Sequence, residues 1–289
     1  MSMNLRKIVT AYPGGLEKAF TMSYDDGNDC DIPLVEMMRK YGVKGTFNVN
    51  SGCCPPERMP HTKNPWSRLP LDELVDLYGD DMEIAVHGRI HPTWDRLPSP
   101  NAMQDILDDR RELERASGKI IRGAACPNGS TNDDVVKILR LAGFAYCRVT
   151  DPTNSFKRLP EDLFRVHGTV RNTDPNRQAL AEAFVKPLAA GGRLWLYYIW
   201  GHSFEFVRDS SWDQLEKLLQ TVSGREDIWY ATNLEIFDYL DAAKRLRYDI
   251  DMSRVYNPTD TAVWLCVTHG DRDAAFLSVP PGTEIRLPD

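Results

Sequence analysis

The sequence has no apolar run long enough to cross a bilayer, which takes about 18 or more residues. The longest candidates, such as residues 194–200, are of strand length. A basic block is missing too. With 42 Asp and Glu against 35 Lys and Arg, the formal charge is −7, so the chain is a poor non-specific partner for nucleic acid or an anionic membrane surface. The opening Met-Ser-Met-Asn-Leu-Arg-Lys has no apolar stretch after its charges. No secretory signal is read there, and a cytoplasmic location is the expectation. The six cysteines (Cys30, Cys53, Cys54, Cys126, Cys147 and Cys266) follow neither zinc-finger nor disulfide spacing. Free thiols in a reducing compartment are therefore expected. There is no internal repeat and no low-complexity tract.

What is present is ordinary globular material: 289 residues, 42% hydrophobic and 27% charged. A chain of this size buries a large core without disulfide or metal staples. Short β-branched or aromatic runs at 18–24, 44–50, 82–86, 119–125, 144–149, 193–200 and 228–231 read as strands. Amphipathic stretches lie between them. Residues 31–41 carry Ile32, Val35, Met38 and Tyr41, with Asp31 as a cap and Gly42 beyond the end. Residues 132–142 end at Gly143, and Ser211-Trp-Asp-Gln214 and Thr232-Asn-Leu-Glu235 both have the capping-box form. Strand–helix alternation over most of the chain predicts an α/β fold: a distorted (β/α) parallel barrel of seven or eight strands at 1–247. From about Tyr248 short strands at 263–267, 275–279 and 284–287 follow one another without helices. They predict a small C-terminal β extension, 248–289, packed on the barrel. The Pro-rich stretch 55–70 is long for a βα loop and is a candidate substrate-contacting segment.

Four polar clusters each follow a predicted strand. Ser23-Tyr24-Asp25-Asp26-Gly27 puts two carboxylates at a turn that Gly27 permits. His87-Gly-Arg-Ile-His91-Pro92 spaces two imidazoles for one metal ion. Arg122-Gly-Ala-Ala-Cys-Pro127-Asn128-Gly129 makes a Pro-x-Gly turn whose N–H groups suit an oxyanion. Trp200-Gly201-His202-Ser203 places a His at a strand end. Taken singly, each has a plainer reading as a solvated turn, an incidental His pair or a packed His. Together they share one face, because the C-terminal ends of parallel barrel strands build a single site. One carboxylate and two imidazoles make a three-ligand metal site with open positions. The second carboxylate and the remaining His supply a base and an acid.

These residues, in this order, resemble the polysaccharide deacetylases of carbohydrate esterase family four, over roughly residues 18–240. That family hydrolyses N- or O-acetyl groups of sugars on a distorted (β/α) barrel. The resemblance implies Asp25 as general base, Asp26, His87 and His91 as metal ligands and His202 as general acid. It further implies Arg122 reaching the base, Asp151 orienting His202 and the Asn128 N–H serving the oxyanion. The third motif departs from the family pattern: Arg122 stands further back from Pro127, and Asn128 replaces a Tyr. Zinc is the default ion for such ligands, with cobalt, nickel or manganese as alternatives.

The function so implied is a metal-dependent hydrolase of C–N amide bonds, acting on an N-acetylated sugar or glycoconjugate. The alternatives are a cytosolic cyclic-amide or ureide hydrolase on the same barrel and a non-catalytic carbohydrate-binding relative. A small-molecule or glycan substrate is expected, with neither nucleic acid nor membrane as partner. Trp94 and Trp200 are candidate stacking residues for a sugar face. Phe156 is the nearest aromatic to Asp151. His61 is read as a solvated loop residue, His167 as a residue that could face the pocket, and His269 as surface.

Overall fold

The structure, a computed structural model, describes residues 6–58, 67–188, 192–269 and 274–288. The first strand, β1 (Arg6–Ala11), belongs to a sheet formed mostly by the far end of the chain. The main sheet follows, with nine parallel strands. They are β2 (Lys18–Asp25), β3 (Gly45–Val49), β4 (Glu83–Val86), β5 (Gly123–Ala125), β6 (Tyr146–Val149), β7 (Val166–His167), β8 (Val170–Arg171), β9 (Trp195–Gly201) and β10 (Ile228–Tyr230).

The order is β7-β6-β5-β4-β3-β2-β9-β8. The two edge strands are halves of one stretch: Val166 and His167 pair with β6, and Val170 and Arg171 pair with β9. The sheet thus curls round until its edges meet in residues 166–171. The ring has seven positions, with β7 and β8 sharing one. β10 pairs with Lys18–Phe20 at the start of β2, whereas β3 pairs with Met22–Asp25 at its end. The distorted parallel barrel expected from strand–helix alternation is the fold observed.

Among the described residues eight α-helices lie between or after these strands: α1 (Asp31–Lys40), α2 (Leu71–Tyr78), α3 (Ser99–Ser117), α4 (Asp133–Leu141), α5 (Arg177–Phe184), α6 (Phe204–Arg208), α7 (Trp212–Val222) and α8 (Asn233–Lys244). Strand alternation sorts the faces. Phe20, Met22 and Tyr24 of β2 and Phe47 and Val49 of β3 join Leu34, Val35 and Met38 of α1 and Leu215 and Leu219 of α7 in one apolar cluster. Their polar neighbours Thr21, Ser23, Asp25, Thr46 and Asn48 are buried on the other face, inside the barrel. There they bond to one another: Asn48 Nδ2 donates to Ser23 Oγ at 2.9 Å and to Asp25 Oδ1 at 2.8 Å.

The start of α8 plugs this polar interior. Thr232 and Glu235 form the expected capping box. The N–H groups of Asn233 and Leu234 donate to Thr46 Oγ1 (3.0 Å) and Glu83 Oε2 (2.8 Å). Helix-end donors that would otherwise be unpaired are thereby satisfied by strand side chains. The second expected box does not form. Ser211 makes no side-chain cap bond, and Gln214 instead accepts from the Arg177 guanidinium. Asp31, expected as the cap of α1, is the first residue inside that helix; it is buried and accepts from Tyr78 Oη and Ser203 Oγ.

After α8 come β11 (Arg247–Tyr248), β12 (Arg254–Tyr256), β13 (Val263–His269), β14 (Ala275–Val279) and β15 (Glu284–Arg286). They build two three-stranded sheets, β1-β13-β14 and β11-β12-β15. The C-terminal β extension therefore includes β1, which pairs antiparallel with β13 from Arg6↔His269 to Ala11↔Trp264. The expected boundary at 247/248 falls inside β11 and leaves β1 on the barrel side, so the unit is not one continuous segment. Tyr239 of α8 ties the unit to the barrel, donating to the Ala11 carbonyl and accepting from the Trp264 N–H.

Candidate active site

Every strand of the ring runs the same way, so the residues that follow their C-terminal ends meet at one mouth. A cavity of about 610 Å³ opens there, lined by Asp25, Asp26, His87, His91, Cys126, Asn128, Arg171, Trp200 and His202, among others. Asp25 is the last residue of β2 and is buried. Asp26 follows with φ +86°, in the left-handed region that ordinary residues avoid, so the chain turns at once and both carboxylates face the cavity. Gly27 continues the turn at φ +63°, and a Cβ there would stand 2.7 Å from Leu74. His91 is also left-handed, at φ +58°. Such outliers concentrate where a site over-determines the backbone.

Asp26, His87 and His91 each offer one ligand atom, and these atoms lie within 4.8 Å of one another. His87 Nδ1 sits 2.9 Å from the Ala125 carbonyl. As the donor in that bond it leaves the Nε2 lone pair directed to the site, the usual outer support of a metal-ligating His. Burial lowers the His87 pKa to about 4 against the opposing pull of Asp25 and Asp26, so the ring is neutral and able to ligate. Asp26 Oδ1 is buried without a hydrogen bond, with Arg68 Nη2 at 3.3 Å. One carboxylate and two imidazoles in this arrangement fit a divalent cation of borderline hardness.

Asp25 lies beside this triad. His87 Nε2 is 3.7 Å and His202 Nε2 is 4.0 Å from its Oδ2. The expected partner Arg122 is not among its neighbours. Arg122 precedes β5, at the opposite end of the barrel from the cavity, and pairs there with Asp238 of α8 at 2.7 Å. The guanidinium on Asp25 comes from Arg148, inside β6. Its Nη2 reaches both carboxylate oxygens at 2.6 Å, and both side chains are buried. Burial by itself would raise the Asp25 pKa; Arg148, with His87 and His202, outweighs that and holds it at about 2. A charged residue in the middle of the strand Tyr146-Cys-Arg-Val149 was the signal in the sequence. A buried Arg needs an acid facing it.

Asp151 likewise does not orient His202. It is exposed, and its carbonyl bonds His167 Nδ1 at 2.9 Å. The carboxylate beside His202 is Glu205, three residues on at the start of α6. Its Oε2 is 3.1 Å from the His202 backbone N and 3.6 Å from Nδ1. Burial lowers the His202 pKa, but Glu205, Asp25 and Asp26 more than compensate and raise it above the ordinary imidazole value. The spacing His-x-x-Glu was the available signal, since it returns a side chain to the same side of a helical turn.

Asn128 adopts φ +58° in the turn Pro127–Gly129 and lines the cavity, its side-chain amide donating to Thr93 Oγ1 at 2.8 Å. Trp94 is fully buried and donates to Asp105 Oδ2 at 2.9 Å, so it packs and presents no face to a sugar. Trp200 lines the cavity but is 5% exposed. The guanidinium groups of Arg148 and Arg171 lie over its ring at 5.1 and 5.3 Å, taking the stacking surface expected to hold a sugar. Phe156 packs against Phe184 and Trp195 in the core. His167 is exposed, and His269 accepts from Arg6 Nε in the β1–β13 sheet. None of the six cysteines is in a disulfide among the described residues. His61 lies outside the described residues, as does part of the Pro-rich stretch. No described helix is long and apolar enough to cross a membrane.

Comparison with known proteins adds the family. The polysaccharide deacetylase profile matches residues 14–147. A Mycobacterium smegmatis structure designated a polysaccharide deacetylase superposes with a TM-score of 0.56 and 17% identity, over 82% of this chain and 94% of its own. A family 4 carbohydrate esterase from Streptomyces lividans, solved with acetate, gives 0.51 and 16%, over 75% and 93%. A Streptococcus pyogenes deacetylase gives 0.40 and 19%, and 45% of this chain spans 55% of its length. No curated protein matches the chain. The fold is that of the family 4 carbohydrate esterases, and the stretch that matches the polysaccharide deacetylase profile, residues 14–147, holds Asp25, Asp26, His87 and His91.

Proposed function

We propose that this protein is a metal-dependent hydrolase that removes acetyl groups from an N-acetylated sugar or glycoconjugate. The observation that carries the reading is the convergence of Asp25, Asp26, His87, His91 and His202 on one cavity at the strand ends. Binding alone needs no such set of acid, base and ligands.

Asp26, His87 and His91 hold the ion, with zinc the default for a carboxylate and two imidazoles. When bound, it supplies Lewis-acid activation of water and of the scissile carbonyl. The chain's own residues do the rest. Asp25, fixed by Arg148 and Asn48, accepts the proton of the attacking water at Oδ2, the oxygen nearer His87 and His202. The N–H of Asn128 faces the developing oxyanion. His202, whose protonated form Glu205 and the two aspartates favour against the effect of burial, gives its proton from Nε2 to the leaving amine. No large closure is required, because the residues already share one cavity.

The test is turnover by zinc-loaded protein on a panel of N-acetylated sugars and cyclic ureides, read as acetate release or ring opening. Acetate from an N-acetyl sugar is expected. Ring opening without acetate would move the protein to the cyclic-amide hydrolases. Saturable sugar binding with no turnover on either arm would make it a non-catalytic relative.

A further inference from the structure

The same cavity has a part that the deacetylation chemistry does not use. Arg171 ends β8 and is the register partner of Trp200 on β9, and both line the cavity. The guanidinium groups of Arg148 and Arg171 both lie over the Trp200 ring, 5.1 and 5.3 Å from its centre. Stacking on an indole fixes a guanidinium plane without using its N–H groups. One arm of Arg171 is spoken for: Nη2 donates to Glu205 Oε1. Its Nε is buried with no acceptor among the described residues, and the same is true of Trp200 Nε1 and of Arg148 Nε and Nη1.

Four donor nitrogens around one ring therefore have no acceptor among the described residues. Buried polar groups are rarely left so. All four are donors and three sit on cations, so the group that fits is rich in acceptors and negative. Each stacked cation already has one carboxylate partner, Asp25 on Arg148 and Glu205 on Arg171, so what remains unmet is acceptors for the other N–H groups. Glu205 is shared among Arg171, Arg208 (3.7 Å) and His202 (3.6 Å), and Asp25 is committed to Arg148. Asp174 also lines the cavity, with its Oδ1 taken by the Asn176 N–H. Of the two stacked cations, Arg148 is fully buried, whereas the Arg171 side chain is 42% exposed and reaches the cavity.

We propose that Arg171, held by Trp200 and Glu205, binds a carboxylate carried by the substrate, so that the substrate class is an acidic N-acetylated sugar. This rests on the deacetylase reading and narrows it. A planar carboxylate matches the guanidinium fork, which favours it over a neutral hydroxyl or amide.

The probe is a carboxylated amino sugar with its amine free, together with its methyl ester. Neither has an acetyl group to lose, so calorimetry on the zinc-loaded protein reads binding alone. The wild type is expected to bind the acid about tenfold or more tightly than the ester, as a charge-assisted pair gives. Arg171→Gln should bring that ratio close to one. Arg171→Lys keeps the charge without the fork and should lower the ratio at least about threefold; it decides the matter if the Gln variant does not fold. A wild-type ratio near one, no binding of the acid, or a ratio unchanged in the variants overturns the proposal. Preference for the acid with no acetate released from its N-acetyl form would overturn the deacetylase reading and leave Arg171 as a carboxylate site alone. Acetate release without the preference would do the reverse.

Discussion

Asp25 and Arg148 show how a single buried pair fixes a reactive side chain. The carboxylate is held on one side by the guanidinium and on the other by Asn48, so its free edge points to the cavity. Removing Arg148 strands a buried charge. Arg148→Met is expected to cost about 3–5 kcal/mol of stability. Arg122→Met breaks only the half-exposed pair with Asp238 and should cost less than about 1 kcal/mol. Urea unfolding of the two variants compares them directly, and equal losses would contradict the exchange of Arg122 for Arg148. His202→Ala should lower amide hydrolysis by about 10²–10⁴ and hydrolysis of an activated aryl acetate much less, because that leaving group needs no proton. Equal losses on amide and ester would leave His202 a positioning residue. The candidate ligands, base and acid were legible in the sequence because Asp25-Asp26, His87-x-x-x-His91 and His202 each sit just after an apolar strand. Arg148 and Glu205 were not, since what pairs them with Asp25 and His202 is strand register and one turn of helix rather than a motif.

At the scale of elements, the interior of the barrel is a polar network, and α8 closes it. Glu83 is its hub, accepting from Thr46 Oγ1 (2.7 Å), Tyr146 Oη (2.8 Å) and the Leu234 N–H (2.8 Å). Burial raises its pKa to about 7 in spite of those three donors. In the unfolded chain the carboxyl titrates near 4.3. Between these values the folded protein keeps a proton that the unfolded chain has released, so stability falls as pH rises from about 4 to about 7 and then levels. Asp31 and Asp109 are raised to about 7 by burial as well and add to the same slope. Glu83→Gln has no proton to lose there. It should remove roughly a third of the fall, on the order of 1–3 kcal/mol, between urea midpoints at pH 5 and pH 8. A variant with the wild-type slope would place the titration elsewhere. Most barrel strands and the capping box at Thr232 were readable from local pattern. The box at Ser211 was not, because Arg177 draws Gln214 away. The short β8 escaped because a two-residue pairing carries no periodicity.

The whole molecule is closed twice: the barrel by residues 166–171, and the C-terminal unit by β1, which crosses the chain to pair with β13. Nothing local marks β1, since its partner lies some 260 residues away. Deleting residues 1–11 removes that whole register and the Ala11 carbonyl that Tyr239 bonds. The melting temperature should fall by roughly 10–25 °C, given about 1 kcal/mol for each lost ladder bond and about 2–4 °C for each kcal/mol. A fall of only a degree or two would mean that β13 and β14 hold without it. The barrel as a whole brings strand ends to one mouth, and the activity proposed for that mouth is metal-dependent removal of acetate. The direct measurement is acetate release from an N-acetylated amino sugar by zinc-loaded protein, repeated after chelation and again after zinc is restored, with His91→Ala alongside. Release that vanishes with the chelator, returns with zinc and is missing in His91→Ala is the expected result. Release untouched by chelation, or retained in His91→Ala together with wild-type metal content, would contradict it.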